Sequence, residues 1–324
     1  MINERIVFQS ILCPIDLTPE SDEALRYAIA LAKAYEAKLL VINCTDSYAV
    51  GGLSQRAHLT SLMETAVRKH LRIPASHGFD WQAVLVDGDP KEAIAQEAAE
   101  RSVDLIVMRS RRRPYAAALL GSTAESVCRT APCPVLVTHP REQDWAGMTT
   151  NEVGLQRVLV AYDFSSDSEL ALAYGLSLAQ EYQAEVHVLH VLPSRASRPE
   201  SPEVAFLPLA GDNGFREAAV RLKVAVPAET GQWCEVKQAV REGHPYREVL
   251  AYADEQNIDL ICMGASGTGF GMRALFGSNS DRVLRQAPCP VLIARPLRPA
   301  FPAASDKKAR KPVLRDFPRA AREL

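Results

Sequence analysis

Two long stretches of this chain repeat one another, and any fold it adopts has to accommodate both. One runs from Asp104-Leu105-Ile106-Val107 through Gly121-Ser122 to Ala131-Pro132-Cys133-Pro134-Val135-Leu136-Val137. The other runs from Asp259-Leu260-Ile261-Cys262 through Gly277-Ser278 to Ala287-Pro288-Cys289-Pro290-Val291-Leu292-Ile293. Upstream, Ile11 to Thr18 aligns without gaps on Val158 to Ser165, so Asp16 answers Asp163. Val41-Ile42-Asn43-Cys44 likewise answers Val188-Leu189-His190-Val191, and Gly88-Asp89-Pro90 answers Gly243-His244-Pro245. A repeat this long lies outside solenoid periods and reads as tandem domains. The length of 324 residues agrees with two domains, at about 150 residues each.

The expected divisions are a first domain over 1–140, a polar linker over 141–154, a second domain over 155–297 and a tail over 298–324. The tail is rich in Pro, Ala, Lys and Arg and is expected to be disordered and solvated, or else a basic arm for anionic partners. The copies diverge in their middles, 47–81 and 193–233, where surface segments tolerate change.

Hydrophobic content of 47% and charged content of 23% are those of a globular chain long enough to bury a core in each half. A formal net charge of −2 gives no reason to expect nucleic acid as an obligatory partner. No apolar run approaches the length of a membrane span and no secretory segment precedes the first strand, so a cytoplasmic protein without membrane partners is expected. The seven cysteines make no zinc-type spacing and read as small buried hydrophobes.

Within each copy, short Val/Ile/Leu runs such as Ile6–Ile15 and Arg157–Tyr162 alternate with amphipathic stretches of helical length. Ala24, Leu25, Ala28, Ile29, Leu31 and Ala32 make one apolar helical face, and Thr18-Pro19 supplies an N-cap and an N1 proline. Alternation of this kind predicts an α/β fold: two doubly wound domains, each with a parallel sheet and helices on both faces. Ligands of such sheets sit beyond the carboxyl ends of the strands, at the topological switch point.

The informative residues fall there. Gly264 and Gly267 follow the strand ending at Met263, and glycine lets backbone take positive φ and bring N–H groups against a ligand. Gly277-Ser278-Asn279-Ser280 then opens a helix whose N-terminus suits phosphate. Asp163 lies across the switch point, where a carboxylate would accept hydrogen bonds from a sugar or base. His190, just before Val191, has the place of a histidine that finds structural partners.

Gly264-x2-Gly267-x9-Gly277-Ser278, followed by a helix and Ala287 to Ile293, closely resembles the universal stress protein family. The resemblance covers nearly the whole chain apart from linker and tail. It implies five-stranded sheets of order 3-2-1-4-5 and an adenine nucleotide, ATP or ADP, in the cleft. It also implies that Asp163 and the backbone around Val191 hold the adenosine part. Gly264, Ser266, Gly267, Gly277, Ser278 and Ser280 would hold the phosphates, with Met263 and Asn279 also among the nucleotide-binding residues. Finally, it implies that Val135–Thr138 and Val291–Ala294 pair across a pseudo-twofold, making an internal dimer.

The first copy departs from the pattern. Asp16, Gly121, Ser122 and Thr123 survive, but Arg109 and Arg112 replace both loop glycines, with Arg111 and Arg113 beside them and Pro114 after them. The usual nucleotide pose is not expected there; a solvated or dead loop, or an anion site built on Asp16, Arg109, Arg111, Arg112 and Gly121-Ser122-Thr123, are the two alternatives.

No Walker Gly-Lys-Ser/Thr triplet, catalytic base–nucleophile pair or side-chain metal set is evident. The leading expectation is a stress-response protein binding ATP or ADP as a regulatory ligand, with magnesium as its normal cellular companion. Slow ATP hydrolysis or self-phosphorylation on Ser278 or Ser280 is one alternative. A ligand-independent scaffold with protein partners, using the arginine loop and tail, is the other. Association into a homo-oligomer stays open.

Overall fold

The computed structural model describes residues 5–45, 52–71, 79–110, 121–139, 153–194, 212–267, 276–296 and 314–315. Arg111, Arg112, Arg113, Pro114, most of the linker and all of the tail but Leu314–Arg315 lie outside them.

After a short β1 (Arg5–Ile6), the first half runs β2 (Ser10–Pro14), α1 (Pro19–Ala34), β3 (Lys38–Thr45), α2 (Leu53–Leu71), β4 (Trp81–Asp87), α3 (Pro90–Glu100), β5 (Leu105–Arg109), α4 (Ser122–Thr130), β6 (Val135–Thr138). The second half repeats it as β7 (Arg157–Ala161), α5 (Ser166–Tyr182), β8 (Glu185–Pro193), α6 (Asp212–Ala225), a 3-10 turn (Ala228–Gln232), β9 (Val236–Gly243), α7 (Pro245–Glu255), β10 (Leu260–Gly264), α8 (Ser278–Gln286), β11 (Val291–Ala294). The run read as one strand over Ile6–Ile15 is therefore two, β1 and β2, with Phe8 buried between them. A two-residue β12 (Leu314–Arg315) in the tail pairs antiparallel with β1, so these two residues depart from the expectation of disorder.

The ten main strands form one sheet in the order β4-β3-β2-β5-β6-β11-β10-β7-β8-β9. Each half is parallel and has the order 3-2-1-4-5 when its own strands are counted. The halves join through antiparallel β6 and β11, with Leu136 opposite Leu292, Val137 opposite Val291 and Val135 opposite Ile293. Leu136 and Leu292 occupy one repeat position, so the pseudo-twofold passes between them, as an isologous contact requires.

Strand side chains alternate between faces, and both faces are covered. Ile11 and Cys13 point to the core under α1, α2, α5 and α6, whereas Leu12 points to the core under α3, α4, α7 and α8. Across the axis, Phe8 stacks on Tyr174 with centroids 6.2 Å apart and meets Tyr35 edge-on at 5.0 Å. The Ile6 N–H donates to Ser177 Oγ at 2.8 Å, tying the start of the first domain to a helix of the second. All seven cysteines are free, and all but the half-buried Cys44 are buried. Burial pushes the Cys44 thiol up to about 11 and that of Cys128 to about 12.

Candidate functional site

The switch point of the second domain lies between β7 and β10, where the chain leaves β7 for α5 and leaves β10 for the glycine-bearing loop. Phe164, just after Asp163, takes the left-handed conformation at φ 63°, and Leu17 matches it in the first domain at φ 59°. Non-glycine residues resist that region and keep it only where their surroundings hold them there. Here the turn is held by Asp163, whose Oδ1 accepts from the Ser165 N–H at 3.1 Å and the Ser165 hydroxyl at 2.5 Å. Ser165 Oγ in turn accepts from the Ser168 N–H at 3.2 Å as the N-cap of α5. In the first domain Asp16 accepts from the Thr18 N–H and hydroxyl in the same way, but Thr18 makes no side-chain cap of α1.

The loop after β10 is fixed from two sides. Asp167, in the first turn of α5, accepts from the Ser266 N–H at 3.0 Å and the Ser266 hydroxyl at 2.5 Å. Ser280, buried in the first turn of α8, donates its hydroxyl to the Gly264 carbonyl at 2.8 Å. The Gly277 N–H donates to the Ala265 carbonyl at 2.8 Å. Both donors of Ser266 and the hydroxyl of Ser280, read from the sequence as phosphate contacts, are therefore engaged within the fold and shape the cradle.

The glycines are needed for closeness and not for dihedral freedom, which corrects the expectation of positive φ. Among the described residues, the glycines at positive φ are Gly88 and Gly243, both at helix entrances elsewhere. A Cβ on Gly264 would come within 2.7 Å of Asp167 Cβ and 2.9 Å of its carbonyl carbon. One on Gly267 would come within 2.5 Å of Asp163 Oδ2. Gly277 is the N-cap of α8, with φ −64° and ψ 138°. Beyond it the N–H groups of Ser278, Asn279 and Ser280 have no partner inside the helix, which is the standard condition of a first turn. Met263 and Val191 lie beneath, at the strand ends and in the core between sheet, α7 and α8.

Several residues at this end of the sheet escaped sequence reading. Asp167 could have been found, since the repeat places an acid, Glu20, at the matching position. Arg221 could not, whereas His190 was read as a histidine with structural partners and has them. The His190 Nδ1 lies 2.8 Å from the Tyr162 carbonyl, its ring 4.6 Å from that of Phe164. The Arg221 guanidinium, from α6, lies 3.9 Å over the Phe164 ring. Burial, foremost, lowers the His190 pKa and keeps the ring neutral.

The corresponding place in the first domain is arranged differently. Gly121 caps α4 with nearly the dihedrals of Gly277, so Ser122 and Thr123 still open a helix. Arg109, standing where Gly264 stands, pairs with Glu23 of α1 in a largely buried contact. Its charge is answered by Glu23 inside the domain. Arg111 and Arg112 lie outside the described residues. Among the described residues no group of three His, Cys, Asp or Glu side chains could hold a metal ion. No described helix is long and apolar enough to cross a membrane.

An ion-pair network links the two domains next to this site. Arg285 of α8 bonds Asp281 at 2.8 and 2.7 Å and reaches Glu125 of α4 at 3.3 Å. Glu125 also pairs with Arg129 at 2.8 Å, and Arg295 donates to the Arg129 and Ala131 carbonyls at the end of α4.

Comparison with known proteins matches this architecture. The model of the universal stress protein family fits residues 8–139 and again 154–295. A universal stress protein of Mycolicibacterium smegmatis is 24% identical over 307 residues, covering 88% of this chain and 97% of its own. One from Thermus aquaticus is 31% identical over 141 residues, covering 43% of this chain and 97% of its own. The crystal structure of a universal stress protein from Archaeoglobus fulgidus superposes with a TM-score of 0.59 at 25% identity, over 88% of this chain and 98% of that one. With the family's domain matched twice and both copies built into one sheet, the chain belongs to the universal stress protein family.

Proposed function

We propose that the second domain binds an adenine nucleotide, ATP or ADP, as a regulatory ligand in a cytoplasmic stress-response protein. The observation that carries this reading is the asymmetry of the two switch points. The second keeps Gly264 and Gly267 packed where a Cβ would collide with Asp167 or Asp163; the first holds a paired arginine at the position of Gly264.

In the second domain the first turn of α8 presents N–H groups and a positive dipole end to an anion, with the Ser278 hydroxyl beside them. Asp163 accepts from Ser165 through Oδ1 at the edge of the crevice, and a carboxylate is the type of group that accepts from a sugar hydroxyl. Because Ser266 and Ser280 are bonded to Asp167 and Gly264, the cradle is rigid before a ligand arrives, which lowers the ordering cost of binding. Magnesium would come with the nucleotide's own phosphates.

The test is mass spectrometry of small molecules released from the freshly purified protein, followed by equilibrium dialysis with ATP and ADP. One adenine nucleotide per chain supports the reading. None released and none regained on soaking would overturn it and favour the scaffold alternative. Should ADP accumulate above a Ser278→Ala control, slow hydrolysis would be added; the buried hydroxyl of Ser280, donated to Gly264, makes Ser278 the phosphoacceptor to examine.

A further inference from the structure

We propose that the chain forms a twofold dimer through the face of α3, α4, α7 and α8, the exposed arginines of α7 and α8 in each copy meeting the exposed acids of α3 in the other. The inference stands apart from the nucleotide reading and needs no ligand.

The two domains carry opposite charge at matching places on this face. At the start of α7 and on α8 stand His244, Tyr246, Arg247 and Arg282; their repeat twins at the start of α3 and on α4 are Asp89, Lys91, Glu92 and Ser126. His244, Arg247 and Arg282 are exposed, and so are Asp89, Lys91 and Glu92. The acids beside the arginines in sequence are engaged elsewhere, Glu248 with Arg241 and Asp281 with Arg285. Among the described residues no carboxylate pairs with Arg247 or Arg282, and no cation pairs with Asp89 or Glu92.

The arginines are also held in place. Arg247 Nε donates to the Tyr246 hydroxyl at 2.9 Å, which leaves its terminal N–H groups for a partner. The Arg282 guanidinium lies 4.8 Å from the centroid of the same ring, tying α8 to α7. In the first domain Ser126 ties α4 to α3 instead, donating to the Lys91 carbonyl at 3.5 Å. Holding these helices together therefore does not require a guanidinium. A cation fixed before it meets its partner loses less entropy on binding.

Symmetry turns this local opposition into a closed pair. The pseudo-twofold within the chain runs normal to the sheet, since it relates α3 to α7 on one face and Leu136 to Leu292 on the other. A second copy can be laid face to face about an axis parallel to the sheet and perpendicular to the line joining the starts of α3 and α7. Each α3 then lies over the α7 of the other copy. Near that line residues stand opposite their own repeat twins: Glu92 opposite Arg247, Asp89 opposite His244, and Lys91 opposite the Tyr246 ring. None of these is a like pair, and an aromatic face suits a cation. Every contact occurs twice, as an isologous interface requires. An unrelated acidic partner would use the arginines alone; a second copy uses the acids too.

The experiment is sedimentation velocity on the full chain over a range of concentrations, for wild type, Arg247→Glu, Glu92→Arg and an equimolar mixture of the two variants. Wild type is expected to dimerise at low salt and to dissociate in about 1 M salt, where screening acts over about 3 Å. Each variant alone sets like charges against each other in both contacts and should weaken the dimer about tenfold or more. The mixture should return to within about threefold of the wild-type affinity, because both contacts again join opposite charges. Thermal midpoints of both variants should match wild type, since both positions are exposed. A wild-type chain that stays monomeric at low salt would overturn the inference. So would a dimer that either reversal leaves intact, or a mixture that associates no more tightly than its components. None of these outcomes bears on the nucleotide reading.

Discussion

The carboxylate of Asp163 lies so close to Gly267 that a Cβ there would stand 2.5 Å from Oδ2. A residue of the turn just after the first strand of the domain and a residue of the glycine loop, far apart in sequence, thus form one surface. Gly267→Glu adds both bulk and a second negative charge at that point. The atom it meets is the end of a rotatable side chain, so the fold should survive while the surface does not. The expected outcome is a loss of nucleotide affinity of about a hundredfold or more, about 2.7 kcal/mol, with a thermal midpoint close to wild type. Dialysis and a melt on the same sample check it.

Gly264 should behave in the opposite way. Its Cβ would meet the main chain of Asp167 at 2.9 Å, and backbone at the start of a packed helix cannot step aside cheaply. Gly264→Ala is expected to cost about 1–3 kcal/mol of stability, read from urea unfolding. Gly231→Ala, where a Cβ would meet nothing within 4 Å, serves as the neutral control.

The contact between Arg285 and Glu125 crosses from α8 to α4 at 3.3 Å, while Arg285 is also held by Asp281. A double-mutant cycle with Arg285→Ala and Glu125→Ala is expected to give a coupling of about 0.5–1 kcal/mol, the range of a partly screened pair. The coupling should shrink in high salt. A value indistinguishable from zero would mean that the domains are joined by the β6–β11 pairing and the aromatic contacts without help from this network.

His187 supplies a pH dependence. The ring is 1% exposed, with Nδ1 2.9 Å from the Tyr252 hydroxyl and Nε2 3.1 Å from Glu185 Oε1. Burial is the larger influence and lowers its pKa despite the neighbouring carboxylate, with Lys237 and Arg157 also acting against the proton. The unfolded chain, titrating near pH 6.5 (about the free value), therefore takes up the proton first as pH falls. Stability is full above that value and declines below it until the folded pKa is reached. His70 and His190, lowered chiefly by burial as well, act in the same direction. Urea midpoints should drop between about pH 7.5 and 5.5, and His187→Gln should flatten that slope whatever it does to the midpoint at neutral pH.

Much of this was legible in the chain itself. The duplication located both domains, the Ala-Pro-Cys-Pro runs located the closing strands, and the pairing of Val135–Thr138 with Val291–Ala294 followed from the family resemblance. Local chemistry was read less well. Thr18 has the identity of a cap and donates its hydroxyl to Asp16 as Ser165 does to Asp163, yet only Ser165 also accepts from its helix's first turn. Gly264 and Gly267 were read as glycines needing positive φ, but they lie outside that region and what distinguishes them is the closeness of their neighbours.

The sequence by itself determined the parts that depend on periodicity and repetition: alternating strands and helices, two copies, and one glycine loop intact where the other carries Arg109. These are local patterns, each legible within a few turns of chain. Only the tertiary structure decided which polar groups are engaged by one another. Ser266 is bonded to Asp167, Ser280 to Gly264, Arg109 to Glu23 and His190 to the Tyr162 carbonyl. A hydrogen bond depends on distance and direction between groups that the chain brings together from far apart, and residue types and spacing do not specify those.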